Sequence, residues 1–328
     1  MNVNHERRLY LGLDTSAYTT ALALVDQDEE LVVDQRILLP VKEGNLGLRQ
    51  SEAVFSHILN LPRLWQEEQK ALEGAVLTAV AASTRPRPAD DSYMPVFKVS
   101  EAFGLFLSQT TGLRFLPSTH QEGHVMAGLW SAGLAQGRYL VMHISGGTTE
   151  LISSEEISPG LLKIDLLGGS ADLNAGQFID RLGLAMGLNF PAGPQMEMMA
   201  RNSSNDLFKL PIAVKGFEIS FSGPSSQAER ILKQGCPKED LARAIENCIA
   251  DSLVAAVDGL PVKAADYHGL LAVGGVVSNC YIRKRLQDGL AGWNLSFASP
   301  EFAGDNAVGL AVQAARCFGV NHYGNDLS

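Results

Sequence analysis

The sequence predicts an α/β protein of two similar lobes with a ligand cleft between them, and three observations carry that prediction. The stretch Tyr139 to Ser153, YLVMHISGGTTELIS, reads as strand, tight glycine turn, strand. The chain contains the pattern twice, because Leu9 to Asp26 again runs an apolar strand into a small polar turn, Asp14-Thr15-Ser16, and an alternating strand, Ala21 to Val25. At 328 residues the chain suits two lobes of about 150 residues. Two adjacent glycines let a backbone approach a ligand that a Cβ would exclude. Successive N–H groups in such a turn, with the hydroxyls of Ser145, Thr148 and Thr149, suit anionic oxygens. Facing hairpins of this kind would grip a polyphosphate.

The elements follow in order. Leu31 to Pro40 completes a three-strand meander, Gly44–Gly47 is a turn, and Ser51 to Glu73 is an amphipathic helix despite Pro62. A buried strand, Ala75–Ala82, precedes the proline-punctuated Ser83–Pro95, expected as a surface loop over the cleft. A helix capped by Ser100 runs to Thr111, Phe115-Leu116 is a short strand, and Thr119 caps a helix. After the central hairpin come a turn at Leu167-Gly168-Gly169, a helix from Asp172 to Met186, and a turn, Pro191–Pro194, opening another helix. A helix from Lys238 to Gly259 then precedes the strand Leu270–Val273. Gly274-Gly275 breaks into a helix from Ser278 to Leu290, and Gly304-Asp305-Asn306 caps a last helix ending near Cys317, before a frayed tail, Asn321–Ser328. Two polyphosphate-gripping lobes of this pattern have the architecture of the actin, sugar-kinase and heat-shock-chaperone ATPase group. The expected division is 1–118, 119–304, and a C-terminal helix, 305–328, packing back on the first lobe.

A hydrophobic content of 46% with 19% charged residues describes a folded protein with a substantial core. No apolar run spans a membrane, and the N-terminus lacks a signal core. Cys236, Cys248, Cys280 and Cys317 show no paired spacing, which fits structural thiols in a reduced cytoplasm. The net charge of −10 argues against a broadly basic nucleic-acid surface but leaves RNA shared with a basic partner open. Short basic clusters at Arg85/Arg87 and Arg283–Arg285 read as solvated surface.

His120 and His124, in H-Q-E-G-H, lie four apart at a helix start and share one face. Two imidazoles so placed can converge on one ion, or coincide without function. A third, carboxylate ligand is needed, and Asp305 is one candidate, although an Asp there can equally be an N-cap. Asp180, mid-helix, is either a partner for ribose hydroxyls or an exposed helical acid. Gly275 and Asn279, in the Gly-Gly turn entering a helix, offer free N–H groups to a nucleotide.

In this order, LGLDTS, HQEGH, SGGTTEL, ADLNAGQFID, FPAGP, SFSG (220–223), AVGGVVSN and ASPEFAGDNA resemble the tRNA threonylcarbamoyl-adenosine transferase family (TsaD, also known as glycoprotease or O-sialoglycoprotein endopeptidase) over nearly the whole chain. The resemblance implies a metal site at His120, His124 and Asp305, holding iron or zinc. It also implies an adenine-nucleotide site (ATP or threonylcarbamoyl-AMP, with magnesium a further candidate) at Ile144, Ser145, Gly146, Gly147, Thr148, Asp180, Gly193 and Asn279. The implied reaction moves threonylcarbamoyl from its adenylate, made by a partner protein of that pathway, to N6 of a tRNA adenosine. The implied metal polarises the carbamoyl carbonyl as a Lewis acid.

The departures gather in the cleft. The family's ETSCDET turn is here Asp14–Thr20, with Tyr18 and Thr19 replacing both acids. The SGGHT histidine is Thr148, the AGEAFD glutamate is Gln177, the basic residue of SFSGLKT is missing before Pro224-Ser225-Ser226, and Ser83–Pro95 replaces a GPG loop. Three readings therefore compete: a threonylcarbamoyl-type transferase, a diverged paralogue with another acceptor or ATPase activity, and a non-catalytic subunit regulating a true transferase. A protease is excluded, because no general base stands in zincin position.

Overall fold

The computed structural model describes residues 7–41, 48–203 and 208–319, so the turn expected at Gly44–Gly47 and the tail from Asn321 lie outside the described residues. The first half contains β1 (Arg7–Thr15), β2 (Thr19–Asp26), β3 (Leu31–Leu38), α1 (Gln50–Glu67), β4 (Ala75–Ser83), α2 (Phe97–Thr111), β5 (Arg114–Ser118) and α3 (His120–Ser131). There follow β6 (Arg138–Ile144), β7 (Thr149–Ser158), β8 (Leu161–Ser170), α4 (Ala175–Ala185), α5 (Gly193–Ala200), β9 (Val214–Lys215), β10 (Glu218–Ile219) and α6 (Ser222–Lys233). The remainder is α7 (Lys238–Asp258), β11 (Gly269–Val273), α8 (Cys280–Gly289), β12 (Leu295–Phe297), α9 (Pro300–Ala303) and α10 (Val308–Phe318). No helix among the described residues is long and apolar enough to cross a membrane.

The internal repeat extends from the hairpins to whole sheets. One sheet has the order β3-β2-β1-β4-β5, the other β12-β11-β6-β7-β8-β10-β9. In the first, β1, β2 and β3 form an antiparallel meander and β4 and β5 join β1 in parallel. In the second, β6, β7 and β8 repeat the meander and β11 and β12 repeat the parallel pair. The strands β1, β2, β4 and β6 are buried along most of their length, as expected where helices cover both faces.

Between the sheets lies a shared core, in which Tyr10, Ala23 and Ala81 meet Val141, Leu271, Val125 and Leu310. Helices α3 and α10 cross there at small residues. A Cβ on Gly309 would lie 1.9 Å from the Gly123 carbonyl oxygen and 2.6 Å from the Ala127 nitrogen. A Cβ on Gly12 of β1 would lie 2.2 Å from the Ala307 oxygen. Gly123, which weakens α3 as an isolated helix, thus lies where α10 crosses at closest approach. Gly309→Ala should destabilise the protein by about 3 kcal/mol or more, the upper end for overpacking a rigid contact. A denaturant midpoint unchanged from wild type would show that the crossing can yield.

Several boundaries differ from expectation, each for a local reason. Helix α2 starts at Phe97, with Val96 at the N-cap position, so Ser100 is no cap; its buried hydroxyl donates to the Ser83 carbonyl and accepts from Thr15 Oγ1. Helix α1 ends at Glu67 and a 3-10 turn, Gln69–Leu72, follows. Helix α4 starts at Ala175 rather than Asp172, whose carboxylate instead accepts from Ser220 Oγ and the Phe221 N–H. Leu167–Gly169 is the end of β8, not a turn, and Gly168 and Gly169 permit close approach of Phe217 and the Thr149 carbonyl. A 3-10 turn, Gly275–Ser278, precedes α8, and Asn279 caps that helix. Arg283 is not solvated surface: it donates to the Val277 and Ala298 carbonyls beneath Phe297.

Candidate functional site

Thr119 and Glu122 form a capping box that fixes the first turn of α3, where His120 and His124 project on one face. Their Nε2 atoms stand 3.2 Å apart, and Asp305 Oδ1 lies 3.3 Å from His124 Nε2 and 3.6 Å from His120 Nε2. With metal–ligand bonds of about 2.0–2.1 Å, the corners of a tetrahedral site lie about 3.4 Å apart, so this triad has the span of one small ion's ligands. All three candidate ligand atoms fall within 4.8 Å of one another. Asp305 does not cap α10; Asn306 Oδ1 accepts from the Val308 N–H instead. Asp305 is left to face the histidines, and Ser16 Oγ donates to it at 2.5 Å.

The surroundings brace these three side chains. Asp14, fully buried at the end of β1, accepts from His120 Nδ1 at 3.0 and 3.1 Å, which leaves the Nε2 lone pair for an ion. His57 of α1, also fully buried, bonds the Ser16 carbonyl through Nε2 and Thr20 Oγ1 through Nδ1, and so holds the turn that presents Ser16. The Ser83–Pro95 loop closes over the helix start, its Arg85 and Pro86 carbonyls accepting from the His120 and Gln121 N–H groups. Arg87 pairs with Glu150 at 2.9 Å, and Gln121 donates to the same carboxylate. Asp14, Ser16 and His57 escaped the sequence reading as site residues, since an acid, a serine and a histidine near a turn are individually unremarked. The signal for Asp14 was its place at the end of an uninterrupted apolar strand.

Burial disfavours a charge on His120, but Asp14 and Asp305 outweigh it and raise its pKa to about 9. The neighbouring histidines and Ser16 hold Asp305 well below the usual carboxylate range against the opposing effect of burial. A raised histidine pKa adds stability that is complete below the unfolded value near 6.5 and is lost as pH rises through about 9. Chelator-treated protein should therefore melt at falling temperatures across that window, and Asp14→Asn should flatten the dependence. A profile equally steep in the variant would assign it to other groups.

The second turn forms a cradle on α4. The Ser145 N–H donates to the Thr148 carbonyl, the Gly176 N–H to the Ser145 carbonyl, and Asn174 Nδ2 to the Gly147 carbonyl. A Cβ on Gly176 would lie 2.5 Å from the Gly146 Cα, so the helix start presses directly on the loop. By contrast a Cβ on Gly146, Gly147, Gly193 or Gly275 would meet nothing within 4 Å. These four glycines border open space. Ile144 is buried at the strand end, and Gly274, with φ +102°, lets its own backbone pass against the Ile144 carbonyl.

Asp180 accepts from the Ala192 N–H at 2.8 Å and braces the turn before Gly193, and burial raises its pKa. Both ends of the Asn279 amide are engaged, Oδ1 accepting from the Ile282 N–H and Nδ2 donating to Glu246, whose pKa burial pushes up to about 7. Tyr18, from the first turn, packs its ring 5.5 Å from Phe190 of the second half. Burial, Asp180 and Asp305 raise its pKa.

Comparisons with known proteins bear on the family and the fold. The chain is 25% identical over 321 residues to a tRNA N6-adenosine threonylcarbamoyltransferase of Thermosipho africanus (strain TCF52B), covering 94% of each. Its fold matches HypF of T. kodakarensis with a TM-score of 0.60 at 13% identity, over 96% of this chain and 48% of that one. It also matches the activator of the 2-hydroxyisocaproyl-CoA dehydratase from Clostridium difficile with bound ADPNP, with a TM-score of 0.53 at 13% identity over 94% of each chain. Those structural likenesses establish the two-lobed actin-like ATPase fold and nothing beyond the fold. The profile described as TsaD, tRNA N6-adenosine threonylcarbamoyltransferase, matches residues 93–312, two thirds of the chain and nearly all of the site, and the chain belongs to that family.

Proposed function

We propose that this chain is a nucleotide- and metal-binding transferase that moves a threonylcarbamoyl group from threonylcarbamoyl-AMP to N6 of a tRNA adenosine. The convergence of His120, His124 and Asp305, backed by Asp14, carries the reading, because a scaffold has no use for so complete a ligand set. A divalent ion held there, iron or zinc, would supply Lewis-acid polarisation of the carbamoyl carbonyl. The chain's own residues set up the rest. Asp14 fixes the His120 tautomer, Ser16 orients Asp305, and the open Gly146-Gly147 turn offers its backbone to the adenylate phosphate. Asp180 and Gly193 lie where the turn after α4 would meet the ribose. The ADPNP held by the dehydratase activator supports an adenine nucleotide in this cleft. The setting proposed is the cytoplasm, with a partner protein supplying the adenylate.

A second reading, a paralogue with a different acceptor or ATPase activity, is favoured by the cleft substitutions. Gln177 spends its side-chain oxygen on the Asn174 N–H, and Tyr18 packs on Phe190 where the family has an acid. Losing one pre-organised electrostatic group commonly costs about 10²–10³ in rate, so tight nucleotide binding with weak transfer to bulk tRNA is expected. Complementation of a strain lacking its own transferase, with nucleoside analysis of its tRNA, tests both readings. Full restoration supports the plain family reaction. No restoration with calorimetric nucleotide binding supports another acceptor, and the absence of both restoration and binding supports a regulatory subunit.

A further inference from the structure

His143 lies on β6, two residues before Ser145, in a strand otherwise apolar from Tyr139 to Ile144. It is 2% exposed, and neither ring nitrogen has a hydrogen-bond partner among the described residues. A buried polar atom left unsatisfied costs about 1–3 kcal/mol, so a leucine would be the cheaper occupant of this row, which faces α3. The imidazole nevertheless packs on His124, with ring centroids 4.7 Å apart and an interplanar angle of 46°. His124 directs Nε2 at His120 and Asp305, while its Nδ1 is buried and also unpartnered.

The two histidines of α3 are therefore unequally supported. His120 has Asp14 to receive its Nδ1–H, whereas His124 has no such acceptor among the described residues. A metal-bound imidazole nearly always donates its second N–H to an outer partner, which fixes tautomer and ring orientation. A neutral histidine keeps one ring nitrogen as an acceptor.

We propose that His143 is the positioning residue for His124, accepting its Nδ1–H when Nε2 is committed to an ion. The two rings are already in contact, and His124 Nδ1 and both His143 nitrogens have no other partner among the described residues. The assignment rests on His120, His124 and Asp305 being the metal ligands. Asp14 and His143 would then support the two histidines from opposite halves of the chain, one from β1 and one from β6.

The test uses the full chain stripped with a chelator and titrated with Zn²⁺ against a chromophoric competitor, alongside His143→Leu and His143→Gln. In His143→Leu, zinc affinity should fall about 10- to 100-fold, while the melting temperature of the stripped protein holds or rises. In His143→Gln, whose amide oxygen can accept, most of the affinity should return. Zinc bound by His143→Leu as tightly as by wild type overturns the positioning role alone. Equal loss of affinity and melting temperature in both variants marks a packing role and overturns it too. Wild-type protein with no zinc affinity overturns the metal reading and this inference with it.

Discussion

Replacing His120 and His124 together by alanine is expected to abolish stoichiometric binding of a divalent ion while leaving the fold and the nucleotide cradle intact. Two of the three convergent ligand atoms disappear, and one carboxylate partly open to solvent cannot hold an ion alone. The helix survives because its start is fixed by Thr119 and Glu122 and its packing by Val125, Met126 and Leu129. Elemental analysis should find about one ion per chain in wild type and background in the double variant. Full occupancy in the variant would show that the ligands lie elsewhere, and calorimetry with ADPNP should report unchanged affinity.

Valine at Gly147 or Gly275 should give the converse result. Because a Cβ at either position meets no protein atom within 4 Å, the folded state accommodates the change at little cost. Under the proposed assignment the space it fills takes a phosphate or sugar, and overpacking of about 1–3 kcal/mol would lower affinity about ten- to a hundredfold. Calorimetry against ADPNP and a thermal melt separate the two effects. A lower melting temperature with unaltered affinity would mean that these glycines serve the fold and not a ligand.

What the sequence disclosed follows from the range of the forces involved. Alternating apolar residues around a small polar turn made both hairpins legible, and their duplication announced two sheets of one plan. The i,i+4 spacing put His120 and His124 on one face before any coordinates. Asp305 and Asn306 were harder, since either can cap a helix, and only the tertiary position of Ser16 and α3 separates their tasks. Strands β9 and β10, two residues each, exist by pairing with each other and with β8, which no local pattern announces. Asp14 and His57 acquire meaning only once β1, α1 and α3 are brought together.

The glycine crossing of α3 and α10 also bears on how the protein is made. Asp305 immediately precedes the helix that fits between the two sheets, and it is translated long after both histidines. A nascent chain emerging from the ribosome holds Asp14 and both histidines before Asp305 is made, so His120 can find its Nδ1 partner while the third candidate ligand is still missing. The ligand set closes only when α10 slides against Gly12 and Gly123. If His120, His124 and Asp305 hold an ion as proposed, loading would follow synthesis of Asp305, and a chain truncated before that point would carry two histidines with little hold on an ion.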